Sequence, residues 1–166
     1  YFTDALSEGL GRFHALGTTS NQRGYFFAAP VIDQTELLGV VAVKITLDRF
    51  EETWGNSDSS IVVTDTSNVV FLSDRADWHF RTLGPVPEPA IETIAQTRQY
   101  PLAALIPLDA RRTPLNGEME LLTVTGPDGT RESFVSQTSL IAAPGWRVSI
   151  LTPTAQATAQ AWTALG

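Results

Sequence analysis

Two polar features interrupt apolar sequence in the first third of the chain. The run 17–20 (GTTS) carries three hydroxyl groups, and Lys44, the only lysine, lies within the apolar run 40–45. Because successive side chains of a strand point to opposite faces, a strand through this region would place Thr18 and Ser20 on one face. An ammonium group and two hydroxyls that met on one small surface could hold a carboxylate.

Both features also have simpler explanations. A lone lysine in a strand often protects a sheet edge or extends its ammonium group to solvent. Threonine-rich strand ends are common because β-branched residues suit strands. Strand alternation alone therefore leaves two interpretations of Lys44 open, an anion pocket and a surface position.

The elements that would position these residues form a predicted antiparallel meander. Its three strands, which short polar turns at 20–23 and 33–36 connect, cover 12–19, 24–31 and 38–47. A helix end is predicted before them, over 1–8, and a short helix after them, over 47–54. Tyr25 and Phe26 open the middle strand, and we expect one of them to form a wall of the pocket.

A second unit is predicted after the polar break at 56–59. It begins with a hairpin whose turn contains Asn68, continues with a helix over 89–98 and an irregular stretch over 102–116, and ends with three strands over 118–125, 131–140 and 146–151. This is the element order of a PAS-like unit. The first unit shows only a helix end and three strands, so the comparison predicts that it is truncated near residue 1.

The predicted domain organisation follows from this comparison. We expect the C-terminal part of a first PAS-like unit over 1–55 and a second PAS-like unit over 56–152. The segment 153–166, which contains Trp162, is expected to begin a helix.

Composition excludes several classes of function. The chain has 166 residues and a net charge of −7, which argues against a nucleic-acid-binding face. It has no cysteine, so disulfides and thiolate metal sites are excluded. The sequence contains no run of 18 apolar residues that would span a membrane.

The sequence shows no catalytic, cofactor or metal motif. His14 and His79 have no second ligand at metal-binding spacing. Arg23 is expected to be exposed in a turn, and Glu51 on a solvated face. A small hydrolase that uses His14 or His79 stays open as an alternative from a different functional class, and a carboxylate beside either ring in an open cleft would favour it.

Four segments of the chain resemble one known family. They are GRFHALGTTSNQRGYFFAAPV, GVVAVKITLDRFEETW, IVVTDTSNVVFLSDRADWHFRTL and PGWRVSILTP, and they occur in matching order between residue 1 and about residue 153. Together they resemble the extracytoplasmic sensor region of the C4-dicarboxylate-sensing histidine kinases, two-component proteins that regulate dicarboxylate uptake.

The resemblance implies a fold and a ligand. The fold would be α+β, with tandem PAS-like (double Cache) units, antiparallel sheets and an incomplete first unit. The membrane-distal unit would bind succinate, malate or fumarate through Thr18, Ser20 and Lys44. The family's Tyr and Arg contacts to the second carboxylate would lie upstream of residue 1.

The resemblance also implies a setting for the chain. The parent protein would be a homodimeric membrane kinase with transmembrane helices on both sides of this periplasmic region. The unit over 1–55 would be the membrane-distal one and the unit over 56–152 the membrane-proximal one, and 153–166 would begin an exit helix that leads into the membrane. The catalytic part of that kinase would lie elsewhere in the parent, and no cofactor is implied. A chemoreceptor ectodomain for a small carboxylate stays open as an alternative, because it uses the same module.

Overall fold

The computed structural model describes residues 1–17, 20–54 and 57–155. These residues form an α+β structure with two antiparallel sheets, which confirms the predicted fold class. The helices are α1 (Phe2–Glu8), α2 (Asp48–Glu52) and α3 (Glu88–Thr97), with short 3-10 turns at Ala76–Trp78 and Leu102–Ala104. The strands are β1 (Gly11–Leu16), β2 (Arg23–Asp33), β3 (Glu36–Thr46), β4 (Ser60–Thr64), β5 (Val70–Ser73), β6 (Asp109–Pro114), β7 (Met119–Thr125), β8 (Arg131–Ile141) and β9 (Trp146–Pro153).

The first sheet is the meander β1–β2–β3. Phe26 lies opposite Phe13 on β1 and opposite Lys44 on β3, so these three side chains share one face of the sheet. Helix α1 covers part of that face with the fully buried Ala5, and it ends at Gly9, whose φ of 79° is left-handed.

The second sheet has the strand order β5-β4-β9-β8-β7-β6. Its first hairpin turns at Asn68, which adopts the left-handed φ of 64° that asparagine tolerates. Gly129, with φ of 82°, makes the turn between β7 and β8. The last strand, β9, pairs with both β4 and β8, and therefore lies in the interior of the sheet.

Two apolar clusters hold these elements together. One joins the two sheets: Tyr25 of the first packs against Trp146 of the second, with ring centroids 5.1 Å apart, and Trp146 contacts Phe71 at 4.6 Å. The other lies within the second sheet and its connections, around Val62, Val70, Trp78, Leu83, Leu122, Val124, Phe134 and Leu151. Burial of these apolar side chains is a main source of the stability of the fold.

Most predicted elements match the structure to within a few residues, but one segment does not. The stretch 102–116 was expected to be irregular, whereas it contains β6, which pairs with β7 at the edge of the sheet. The first sheet ends at Thr46 and the second begins at Ser60, with α2 between them. The predicted division into units at residues 55–56 stays a prediction, and these two residues lie outside the described part of the chain.

The predicted exit helix also lies almost entirely outside the described residues, since β9 continues to Pro153 and the description ends at residue 155. Within the described part of the chain, none of the helices has the length and hydrophobicity that crossing a membrane would require.

Candidate ligand-binding site

The candidate site centres on the ammonium group of Lys44. Lys44 Nζ donates a hydrogen bond of 2.9 Å to Ser20 Oγ and lies 5.7 Å from the centre of the Phe26 ring, within the range of a cation–π contact. An ammonium group has three N–H donors, and Ser20 keeps its own O–H to donate. Both groups can therefore donate to one anion on this face of the first sheet.

Two glycines leave the space that the Lys44 side chain and Ser20 occupy. A Cβ atom on Gly24 would lie 2.5 Å from Lys44 Cε and 3.1 Å from Cγ, so the stem of the lysine runs directly over the backbone of β2. A Cβ atom on Gly17 would lie 2.6 Å from Ser20 Oγ and 3.3 Å from Lys44 Nζ. The site therefore depends on the absence of side chains at Gly17 and Gly24, which sequence analysis did not single out. A glycine inside a strand, as at position 24, often marks a place where another group approaches the backbone closely.

The structure brings together some of the predicted site residues and separates others. Ser20, Lys44 and Phe26 meet as described, but Ser20 belongs to the β1–β2 turn, because β1 ends at Leu16. Strand alternation therefore does not explain its direction. Thr18 lies outside the described residues.

Tyr25 is a correction to the predicted site. It follows Gly24 and precedes Phe26 on β2, so its side chain points to the opposite face of the first sheet. There it is 8% exposed and contacts Phe27 and Trp146. Tyr25 is a core residue between the two sheets rather than a wall beside Lys44. On the Lys44 face, the ring of Tyr1 instead stacks on Phe26, with centroids 5.7 Å apart.

Lys44 has no acidic partner in the part of the chain that the structure describes. Among residues 1–17, 20–54 and 57–155, no carboxylate lies within 4.0 Å of Lys44 Nζ. The ammonium group of a partly exposed lysine, next to a hydroxyl and an aromatic ring, is free to pair with an anion from solution.

Arg23 was predicted to be exposed and Glu51 to be solvated, and both predictions are wrong. Their side chains are 11% and 12% exposed, and they form a two-pronged ion pair with N···O distances of 2.7 and 2.5 Å. The error arose because the two residues are separated by 28 positions, and no local pattern connects them.

His79 lies within hydrogen-bond distance of both members of this ion pair. Its Nε2 lies 3.0 Å from Glu51 Oε1 and 2.8 Å from Arg23 Nη1. Burial raises the pKa of the Glu51 carboxyl, but hydrogen bonds from His79, Arg23 and the Ser73 amide, with the charge of Arg23, together hold the pKa below its ordinary value. Glu51 therefore stays ionised at neutral pH.

His14 also lies near a carboxylate, but within the core. Its ring is surrounded by those of Tyr25, Phe71, Tyr100 and Trp146 at 4.8–6.5 Å. Its Nε2 is 3.7 Å from Asp65 and 3.1 Å from the amide nitrogen of Gln99. The aromatic packing makes His14 a structural residue, so the open cleft that a hydrolase would need is not found around this ring.

A separate cleft, of about 580 Å³, lies on the second sheet. Its Arg75 pairs through both terminal nitrogens with Glu132, and Arg81 donates to the carbonyls of Ile106 and Pro107. Arg75 therefore has a carboxylate partner, which Lys44 lacks within the described part of the chain. Across the residues that the structure describes, no group of three or more His, Asp or Glu side chains could hold a metal ion.

Comparison with known proteins identifies relatives of the chain. It is 33% identical over 153 residues to the C4-dicarboxylate transport sensor protein DctB of Pseudomonas aeruginosa, an alignment that covers 92% of the chain and 22% of that protein. It is 27% identical over 154 residues to the protein of the same name from Rhizobium meliloti, covering 92% of the chain and 25% of that protein. The chain is homologous to the DctB sensor proteins.

A solved structure supports the same relationship. The sensor domain of the V. cholerae histidine kinase DctB superposes with a TM-score of 0.79 and 29% identity, over 92% of the chain and 59% of that domain. The fold is therefore that of a DctB sensor domain, of the Cache/PAS-like type. The chain spans about a quarter or less of the length of the curated DctB proteins that it matches. No protein-family model matches the chain.

Proposed function

We propose that the chain is the ligand-binding region of a two-component sensor histidine kinase, and that its ligands are C4-dicarboxylates such as succinate, malate and fumarate. The observation that carries this proposal is the Lys44 ammonium group, which has a hydroxyl partner in Ser20 and no counter-ion among the described residues. Homology to DctB sensor proteins over 92% of the chain supports the same ligand class.

In this proposal, Lys44 and Ser20 hold one carboxylate of the ligand, with Thr18 as a further donor and Phe26 as a wall. The second carboxylate would be held by the Tyr and Arg that the family resemblance places upstream of residue 1. A ligand that bridges the two sides would favour a closed form of the first unit by its higher affinity for that form.

The proposed setting is the periplasmic face of an inner membrane. The parent protein would be a homodimer with transmembrane helices flanking this region, and the chain after β9 would lead to the second of them. A shift in the first unit would then change the geometry of this exit helix and hence the activity of a cytoplasmic kinase.

Thermal unfolding in the presence of ligands tests the proposal. For this test the wild-type protein and its variants are extended upstream, so that they include the Tyr and Arg of the second carboxylate site. We expect succinate, malate and fumarate to stabilise the wild type, by about 2.7 kcal/mol at a concentration of 100 times the dissociation constant. A neutral C4 diol should have no effect, because it lacks the charge that Lys44 would bind.

Two variants serve to locate the site. Lys44→Ala removes the proposed anion contact and should abolish the stabilisation. Arg111→Ala also removes one positive charge, but from an exposed position on β6, and should respond to ligand as the wild type does. A wild-type protein that none of the three dicarboxylates stabilises would overturn the proposed ligand class, and an equal response of Lys44→Ala would overturn the site.

A further inference from the structure

The two-pronged ion pair between Arg23 and Glu51 is one part of a larger polar cluster. Arg23 also donates through Nε to Asp48 Oδ1 at 2.7 Å, so its guanidinium group is held by two acidic residues of α2. We call Arg23, Asp48, Glu51, Ser73 and His79 the junction cluster.

The junction cluster extends into the second sheet. Arg23 Nη1 donates to the carbonyl of Phe71 at 3.0 Å, and the amide of Ser73 donates to Glu51 Oε1 at 2.6 Å. His79 Nε2 is 3.0 Å from the carbonyl of Ser73. Phe71 and Ser73 belong to β5, the edge strand of the second sheet. The cluster therefore joins side chains of β2 and α2 to the backbone of that strand.

Two short stretches of the chain connect the junction cluster with the candidate site. Arg23, the first residue of β2, comes three residues after Ser20. The turn before it is closed by two hydrogen bonds, from the Gly17 amide to the Gln22 carbonyl and from the Asn21 amide to the Gly17 carbonyl. Asp48 comes four residues after Lys44, where β3 runs directly into α2. Ser20 and Lys44, which would contact the ligand, are therefore each within four residues of a member of the cluster along the chain.

The charges in the cluster would resist separation of these elements. Arg23 and Glu51 are nearly buried, and separating a pair of this kind leaves an uncompensated charge in a poorly solvated place. The β1–β2 turn, α2 and β5 are thus expected to move together rather than to slide past one another.

We propose that Arg23 is a positioning residue that couples occupancy of the Lys44 site to the second sheet. An anion bound by Lys44 and Ser20 displaces the β1–β2 turn and the start of α2. The guanidinium group of Arg23 carries that displacement to Phe71 directly and to Ser73 through Glu51. This inference rests on the proposed function, because it requires a ligand at Lys44. Its rival is a purely structural role, in which the cluster holds the sheets together but transmits nothing.

The Ser73 amide provides a reporter that separates the two roles. In the ¹⁵N-labelled protein titrated with succinate, we expect its resonance to shift in proportion to occupancy, since its proton points at Glu51. The amide of Leu122, in the core of the second sheet, should shift much less.

Variants of Arg23 then test the coupling. Arg23→Lys keeps the charge but cannot bridge Glu51, Asp48 and Phe71 at once, and Arg23→Gln removes the charge; the milder Arg23→Lys gives a folded sample should Arg23→Gln unfold. At saturating succinate we expect the Ser73 shift in either variant to fall to less than about a third of the wild-type shift. Arg112→Gln, which breaks the surface ion pair with Glu120, should leave the Ser73 shift unchanged.

The possible results are distinct. A wild-type protein that does not bind succinate overturns the proposed function, and the coupling with it. A protein that binds succinate without a Ser73 shift, or an Arg23→Lys variant whose Ser73 shift equals that of the wild type, overturns the coupling alone. Loss of the shift in the Arg23 variants, with binding retained, supports it.

Discussion

Substitution of Gly24 by alanine is a sharp test of how the site is built. A Cβ atom at this position would lie 2.5 Å from Lys44 Cε, whereas carbon atoms in contact are about 3.5–4.0 Å apart. The lysine stem would have to move away by at least about 1 Å. Because Lys44 Nζ is already 2.9 Å from Ser20 Oγ, such a displacement would break their hydrogen bond.

The expected effect on affinity follows from the displaced ammonium group, which would no longer reach the bound carboxylate. A hydrogen bond to a charged group contributes about 1.5–3 kcal/mol, which corresponds to a factor of about 10 to 150 in the dissociation constant. We expect succinate to bind Gly24→Ala more weakly by this factor. The fold itself should change little, because the added methyl group meets only the flexible stem of Lys44. Alanine also reduces the conformational entropy of the unfolded chain, which stabilises the folded state by about 0.4–1 kcal/mol.

Two measurements on matched variants check this prediction. Calorimetric titration with succinate gives the affinity, and urea unfolding gives the free energy of unfolding. Gly39→Ala, also within the first sheet, is the control, because nothing lies within 4 Å of the Cβ atom it would add. The reasoning is refuted if Gly24→Ala binds succinate as tightly as the wild type, or if it loses more than about 2 kcal/mol of stability, a size typical of a disrupted core.

Three further predictions concern stability. The folded-state pKa of Glu51 lies below its ordinary value of 4.5, so the stability of the wild type should fall as the pH drops from about 5 through the folded pKa. In acid titrations followed by circular dichroism, Glu51→Gln should make the dependence of stability on pH less steep. An unchanged dependence would contradict the assigned ion pair. Tyr100→Phe removes the hydrogen bond to Asp65 and should cost about 1–3 kcal/mol in urea unfolding, while a cost near zero would mean that the carboxylate finds another donor. Ile94→Ala should cost about 2–5 kcal/mol by the same measurement, because Ile94 is 1% exposed where α3 meets the core, and the exposed Ile91→Ala, which should cost much less, is its control.

The sequence predicted the local elements of the fold well. Alternation and turn residues located the meander, and asparagine and glycine turns located the hairpins of the second sheet. The missed strand, β6, has the sequence DARRTP, which combines polar residues with a proline. Only pairing with β7 makes it a strand, and such pairing at a sheet edge leaves little trace in the local sequence.

The contact between Lys44 and Ser20 could be anticipated from local chemistry, but the residues that support it could not. Lys44 stood out as a lone cation in an apolar strand, and Ser20 as the last of three hydroxyl residues at the predicted strand end. The role of Gly24 depends on the path of a side chain from another strand, and the pair of Arg23 and Glu51 depends on how α2 folds back onto β2. Contacts between distant residues follow from tertiary packing, which single-sequence patterns do not encode.

The interior position of β9 has a consequence for how the second sheet folds. Ser60 on β4 pairs with Leu151 on β9, so contacts that close the sheet span about ninety residues of chain. Until β9 is in place, the β4–β5 hairpin and the β6–β7–β8 meander have no shared strand. Formation of such distant contacts slows folding, because loop closure must precede the contacts that reward it. During synthesis, the second sheet can therefore be completed only after residue 153 has emerged, and a defect in β9 would leave two separate pieces with open edges.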